Sequence, residues 1–262
     1  MSDYATHRRK ALDAFRHLAL DEVDSTNQQC LIRAREGDPG HLWLTANRQT
    51  GGRGRRGRLW ASEPGNLYSS LLLIDPAPLA DLASLPLAVA VAVHDAISAV
   101  LPPGSPPLEI KWPNDVLIGR AKTSGILLEA ERLLDGRHAL VIGIGVNIRF
   151  KPSETPYPTA SLQEHGASVT PDEFFSHLFI AMADALALWD QGRGVADVMR
   201  RWRHVACGIG EKITVNLPDR SISGVFSGID DKGILLLDRG SLGITPVAAG
   251  DVFFEPNGPR KE

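Results

Sequence analysis

The spacing of apolar and polar residues changes period several times along the chain, and each change marks an element. From Thr6 to Ala19, apolar Ala11, Leu12, Phe15 and Leu18 recur at helical spacing among charged groups, which predicts a helix. Leu20 to Val23 reads as a short strand. Asp24-Ser25-Thr26-Asn27 offers several N-cap residues to a helix over Gln28 to Arg35, which Gly37 stops. A strand at His41 to Ala46 and a β-rich run at Asn66 to Ile74 enclose a glycine-rich connection. After Pro76, Pro78 and Ser84, the chain through Val100 is apolar nearly all round, the pattern of a helix buried against a sheet. Strands are predicted at Leu108 to Trp112, Asp115 to Ile118, Thr123 to Glu131 and His138 to Asn147, with Gly119-Arg120 as a hairpin turn. Lys151 to Pro158 reads as loop. Helices follow over Pro171 to Trp189 and Val195 to Ala206, and Thr170 with Glu173 forms a capping box for the first.

Four successive strands flanked by helices argue for a mixed sheet in an α+β domain, and against a doubly wound parallel sheet. From Gly210 the pattern becomes a series of short β runs at Lys212 to Asn216, Ser221 to Ile229, Ile234 to Asp238 and Gly243 to Val247. Turn-forming residues separate them, the signature of a small all-β barrel. A barrel this small is marginal alone and is expected to pack on the main domain. The expected division is residues 1 to 208 and 209 to 262.

Composition narrows the classes. The chain has 262 residues, 43% hydrophobic and 23% charged, with a net charge of −3. A basic nucleic-acid binder is disfavoured by that balance. Cys30 and Cys207 are far apart and belong to no CxxC or Cys/His pair, so neither a disulfide framework nor structural zinc is expected. The start is charged, not apolar like a signal core, and the longest apolar run, Leu85 to Val93, is too short to span a bilayer. A cytoplasmic enzyme or binding protein without membrane attachment is the default expectation.

Three stretches carry candidate chemistry. In Gln49-Thr50-Gly51-Gly52-Arg53-Gly54-Arg55-Arg56-Gly57-Arg58-Leu59-Trp60, four arginines alternate with four glycines. Glycine permits a mobile loop close to a ligand, and guanidinium groups suit carboxylates and phosphates. A solvated basic loop or an RNA-binding Arg-Gly segment fits the stretch alone equally well. Lys111-Trp112-Pro113-Asn114-Asp115 places a cation and two polar groups at the end of an apolar strand, with Lys122 across the predicted hairpin; an ordinary turn with a surface lysine is the alternative. Gly143-Ile144-Gly145 leaves one face of a strand bare, where a flat ligand can lie. No helix follows, so it is not a dinucleotide fingerprint.

In this order, Asp24 to Gln28, Gln49 to Trp60, Lys111 to Asp115, Lys122-Thr123-Ser124-Gly125-Ile126-Leu127 and Gly143 to Asn147 together resemble the biotin protein ligases, also called biotin–[acetyl-CoA-carboxylase] ligases. The similarity extends to Ser161-Leu162-Gln163-Glu164 and, in the barrel, to Gly228-Ile229-Asp230 and Gly233-Ile234-Leu235-Leu236. The resemblance implies a class II synthetase-like biotin/lipoate ligase catalytic fold with a C-terminal SH3-like barrel. It also implies two half-reactions: biotin and Mg-ATP form biotinyl-5′-AMP, and a lysine of a biotin carboxyl carrier protein then displaces AMP. Bringing a carboxylate onto a triphosphate opposes like charges by roughly 4 kcal/mol per pair at 4 Å and an effective dielectric of about 20, so several fixed cations are required.

By the same resemblance, Ser25, Thr26, Asn27 and Gln49 bind the ureido head of biotin and its positioning groups, and main-chain groups at Gly125 to Leu127 shape the slot. Arg53, Gly54 and Arg55 wrap the carboxylate and phosphate, and Lys122 contacts both. Lys111, Asn114 and Asp115 line the phosphate side, with Arg58 and Trp60 beside the adenylate. Asp115 would hold Mg²⁺ or orient a lysine. Gly143, Gly145 and Asn147 would face the biotin ring and the adenine. Catalysis would rest chiefly on Lys122, Arg55 and Lys111. The loop is expected to be disordered when empty and ordered over the adenylate.

Many relatives carry an N-terminal winged helix that binds DNA. Here the Ser25-Thr26-Asn27 motif begins within thirty residues of the start, so a ligase without DNA binding is expected. Some relatives place an aromatic just before the Ser-Leu-Gln stretch to cover the adenine; this chain has Pro158-Thr159-Ala160 there, with Tyr157 nearest. The alternatives are a lipoate–protein ligase of the same fold and a nucleic-acid-binding module using the arginine loop. An exposed sheet edge could serve a homodimer or the carrier.

Overall fold

The computed structural model describes residues 2 to 254. The central feature is a seven-stranded mixed sheet in the order β1-β2-β3-β7-β6-β5-β4, where β1 is Arg16–Val23, β2 Leu42–Gln49, β3 Leu67–Ile74, β4 Leu108–Lys111, β5 Asp115–Ile118, β6 Ala121–Arg132 and β7 His138–Val146. Only β1 and β2 run parallel; the other neighbours are antiparallel. Gly119 and Arg120 both have positive φ (55° and 68°), as a tight hairpin turn between β5 and β6 demands.

The two-residue period of the strands sorts the core. On β7, Leu140, Ile142, Ile144 and Val146 join one core with the buried faces of α3 (Leu85–Ser98), α4 (Pro171–Trp189) and α5 (Val195–Val205). Ala139 and Val141 point the other way, into a second core with Cys30, Leu31 and Ala34 of α2 (Thr26–Arg35). Gly143 and Gly145 continue that second face, so the functional face of the sheet is the α2 side. α4 starts with the predicted capping box, Thr170 and Glu173 bonding reciprocally.

Two departures from the sequence pattern stand out. α1 spans Ser2–Ala14, and the residues read as its continuation form the first half of β1. Arg16 to Val23 pairs in register with β2 along its length, and that long-range ladder outweighs the local helical spacing of Phe15 and Leu18. The second departure lies in the C-terminal unit. It is a five-stranded antiparallel sheet, β11-β10-β9-β8-β12, of the small-barrel kind, made of β8 (Lys212–Asn216), β9 (Ser221–Ile229), β10 (Leu235–Asp238), β11 (Ile244–Val247) and β12 (Asp251–Phe254). β12, which the pattern did not predict, pairs with β8.

The small unit is joined to the large one at several points. Arg203 donates to Ile229 O at 2.9 Å, and the Trp112 indole donates to Gly233 O at 2.9 Å. Cys30 and Cys207 are buried, free thiols, each pushed up to about 12 by desolvation, and therefore inert. Among the described residues no helix is long and apolar enough to cross a membrane.

Candidate functional site

The strand registers themselves assemble the site. Lys111 opposes Asp115, Asp115 opposes Gly125, Gly125 opposes Gly145, and Gly145 opposes Tyr68, forming one row across β4, β5, β6, β7 and β3. Directly opposed residues share a face, so the row lies on the α2 side. Lys122 joins it through a β-bulge. Between Val116 and Leu117 the β5–β6 register slips, leaving Thr123 as the extra residue and turning Lys122 toward Asp115.

Asp115 binds both lysines: its Oδ1 lies 2.7 Å from Lys122 Nζ and its Oδ2 3.4 Å from Lys111 Nζ. All three side chains are less than a fifth exposed. Burial pushes the Asp115 carboxyl up, but Lys122 and Lys111 outweigh it and hold the group below its ordinary value. Aromatic rings bracket the lysines. The Trp60 and Tyr157 centroids are each 5.5 Å from Lys122 Nζ, and Tyr157 is 5.8 Å from Lys111 Nζ.

At the other end of the row the site is polar and buried. Gln49 Oε1 accepts from the Thr26 main-chain N–H at 2.8 Å and from its hydroxyl at 3.1 Å, so Gln49 tethers the start of α2. The Asn27 amide donates to Glu129 Oε2 at 2.7 Å, while its Oδ1 accepts from Ser70 Oγ at 2.6 Å; both ends of the amide are fixed. Ser25, Thr26 and Asn27 line the same pocket as Gln49, Arg53, Gly54, Arg55, Trp60, Lys111, Asn114, Asp115, Lys122, Gly125, Gly143 and Gly145.

The two glycines of β7 do not leave an open floor. A Cβ at Gly145 would fall 2.5 Å from the Trp60 ring, and one at Gly143 would collide with the Asn27 amide. The bare strip is therefore covered by Trp60 and Asn27, and a ligand meets these side chains. The Trp60 indole N–H is buried in the wall with no hydrogen-bond partner among the described residues.

The arginine loop divides its side chains between two tasks. Arg53 reaches Glu129 at 3.5 Å, and Arg55 donates to Asn114 Oδ1 at 3.0 Å. Arg56 and Arg58 turn to the small barrel and pair with Asp251 at 3.1 and 3.0 Å. Arg58, expected beside the adenylate, lines the same pocket and pairs its guanidinium with Asp251 across the loop. Asn147, expected at the adenine, lies outside the pocket lining: it is buried, and its amide donates to Ala160 O at 3.1 Å. Asp115 has a lysine on each oxygen, so of its two expected roles the geometry fits orientation of lysines. Among the described residues, no three His, Cys, Asp or Glu side chains form a cluster that could hold a metal.

Several contributors escaped the sequence reading. Gly250 and, on β12, Asp251, Val252 and Phe253 line the pocket. Asn66 anchors the start of the loop that leads to Tyr157, its Oδ1 accepting from the N–H groups of Ile148, Arg149 and Phe150 at 2.9, 2.9 and 3.0 Å. Recognising β12 would have exposed the first group; nothing local marks Asn66.

Comparison with known proteins gives a consistent result. Residues 20–147 match the biotin/lipoate A/B protein ligase family, and residues 208–255 match the biotin protein ligase C terminal domain. The chain is 38% identical over 242 residues to a biotin–[acetyl-CoA-carboxylase] ligase of Paracoccus denitrificans, covering 90% of this chain and 99% of the relative. It is 32% identical over 247 residues to a bifunctional ligase/repressor of Bacillus subtilis, covering 90% of this chain and 73% of the relative. A solved biotin protein ligase from Aquifex aeolicus, in complex with biotin and ATP, superposes with a TM-score of 0.76 at 30% identity, covering 92% of this chain and 98% of that one.

Proposed function

Because this chain belongs to the biotin protein ligases, we propose that its pocket joins biotin to ATP as biotinyl-5′-AMP and passes the biotinyl group to a lysine of a carrier protein. The Lys111–Asp115–Lys122 row carries this reading. It sets two cations on one buried carboxylate, beside Arg55 and in the same cavity as the buried polar end around Asn27.

In the first step, a biotin carboxylate oxygen attacks the α-phosphorus of ATP and pyrophosphate departs. Two anions must meet, and each like-charge contact costs about 4 kcal/mol at 4 Å and an effective dielectric of about 20. Lys122 faces the meeting point from a fixed direction, because Asp115, Trp60 and Tyr157 surround its ammonium. Lys111 and Arg55 extend the cationic wall toward the phosphates. Such preset charge lowers the barrier without reorganisation during the reaction. In the second step, the ε-amine of a carrier lysine attacks the acyl carbon, the bond to the phosphate oxygen breaks, and AMP leaves as the amine loses its proton. The adenylate is a mixed anhydride that water destroys, so the loop from Gly51 to Trp60 also serves as a cover.

Ser25, Thr26, Asn27 and Gln49 are assigned to the biotin head. The Gln49–Thr26 bonds, and those of Asn27 to Ser70 and Glu129, fix the direction of these groups before a ligand enters. Mg²⁺ belongs to the ATP and is part of the substrate. Asp115, with a lysine on each oxygen, is assigned to orienting Lys111 and Lys122. Residues 1 to 208 would form the catalytic unit and 209 onward the barrel that backs it.

Biotin-dependent exchange of pyrophosphate into ATP tests the proposal. Exchange with biotin and none with lipoate is expected; exchange with lipoate alone would move the chain to the lipoate ligases, and none with either acid would sink the reading.

A further inference from the structure

The arginine loop is bonded to the small barrel around one carboxylate. Asp251, the first residue of β12, takes Arg58 on Oδ1 at 3.0 Å and Arg56 on Oδ2 at 3.1 Å, with Arg55 4.0 Å away. Neighbouring main-chain oxygens complete the grip. Arg56 donates to Asn216 O at 3.1 Å, and Arg55 donates to Gly250 O at 3.0 Å. Asn216 is the residue opposite Asp251 on β8, so strand pairing builds the receiving surface.

We propose that Asp251 is a positioning residue for the ligase reaction: by holding Arg56 and Arg58 it keeps the loop closed and thereby retains biotinyl-AMP until the carrier arrives. The inference rests on the reading of the preceding subsection. Two further observations support it. Arg56 has a φ of 56°, a conformation arginine rarely adopts, and its side chain is bonded at both ends to the barrel, which compensates that cost. The contact is also short of negative charge, with three guanidinium groups gathered on one carboxylate. Burial lowers the Arg55 pKa more than Asp251 and Asp115 raise it, the sign of a cation lacking a full counter-charge. An adenylate phosphate would supply the missing anion, so closure and occupancy reinforce each other.

The division of labour is then explicit. Arg55 stands at the boundary, near Asn114 in the pocket and Gly250 on the barrel, and can turn to the ligand without opening the latch. Arg56 and Arg58 stay on Asp251 throughout.

The test uses the full chain loaded with biotin and Mg-ATP, and measures the release of preformed biotinyl-AMP after removal of free substrates. Asp251→Asn keeps the shape and removes the charge. It should release the adenylate roughly tenfold faster than the parent, equivalent to about 1.4 kcal/mol. Asp251→Glu should restore retention in part. Adding Arg58→Gln to Asp251→Asn should change little further, since both remove one contact. Unchanged retention in Asp251→Asn would overturn the latch. So would a fall in melting temperature and biotin affinity by matching amounts with no rescue by Asp251→Glu, because Asp251 would then only stabilise β12. If the parent itself forms no adenylate, the ligase reading fails first, and that outcome is visible before any variant is made.

Discussion

Lys122→Ala probes the electrostatic argument at its centre. The ammonium lies 2.7 Å from Asp115 Oδ1, its side chain is 16% exposed, and rings of Trp60 and Tyr157 flank it at 5.5 Å. It therefore acts in a setting of intermediate dielectric, where one charge contact near 4 Å is worth about 4 kcal/mol. Lys122 is shared with Asp115, so one contact with the reacting anions is counted, not two. That contact corresponds to a loss of roughly a thousandfold in adenylation rate. The fold should survive, because Asp115 keeps Lys111 at 3.4 Å; losing one charged hydrogen bond costs about 2 kcal/mol. The assay is biotin-dependent pyrophosphate exchange at saturating biotin and ATP, with a thermal melt of the same preparation. An exchange rate within about fivefold of the parent would refute the reasoning, since it would leave only about 1 kcal/mol for this cation.

Three other substitutions test separate links. Asp115→Asn should destabilise the fold by an amount constant from pH 8 to pH 5, because the carboxyl titrates below its ordinary value. A lowered folded pKa gives stability that is present above the unfolded value of 3.8 and lost as pH falls through the folded one, so the gap between parent and variant should close only in strong acid; closure between pH 5 and 7 would contradict the paired state. Asn66→Ala removes one acceptor from three main-chain N–H groups and should cost about 3 kcal/mol in urea unfolding, whereas a loss under about 1 kcal/mol would show that the loop leading to Tyr157 is anchored elsewhere. Gly145→Val should fold, as valine suits a strand. By displacing Trp60 it should weaken biotin binding in calorimetry at least about tenfold, and unchanged affinity would mean that Trp60 is no wall of the biotin slot.

The sequence made most of the fold and the identity of the site legible, for physical reasons that differ by region. The runs Asp115 to Ile118, Thr123 to Glu131 and His138 to Asn147, with Gly119-Arg120 as the turn, marked the β5–β6–β7 meander, and the observed strands Asp115–Ile118, Ala121–Arg132 and His138–Val146 follow them closely. Thr170 and Glu173 announced a capping box that forms. Local signals failed where distant partners decide. Arg16 to Ala19 carries a helical spacing but pairs with β2, and Asp251–Phe254 is too short to show a period until β8 lies beside it. The bulge at Thr123 that turns Lys122 toward Asp115 has no signature in a single strand, since a bulge is defined by its partner. The chemical stretches were readable because charged residues beside glycine and proline stand out from a background of strands. Their division of labour was not. Arg56 and Arg58 face the barrel only because β12 places Asp251 there, and Asn147 turns away because Ala160 O offers its amide a partner.

Mass spectrometry of a biotin carboxyl carrier domain incubated with this protein, biotin and Mg-ATP tests the central claim most directly. The account predicts one added biotinyl group on a single lysine of the carrier, formed only when ATP is present. A carrier of unchanged mass under these conditions, or one that gains lipoyl and never biotinyl, would contradict it.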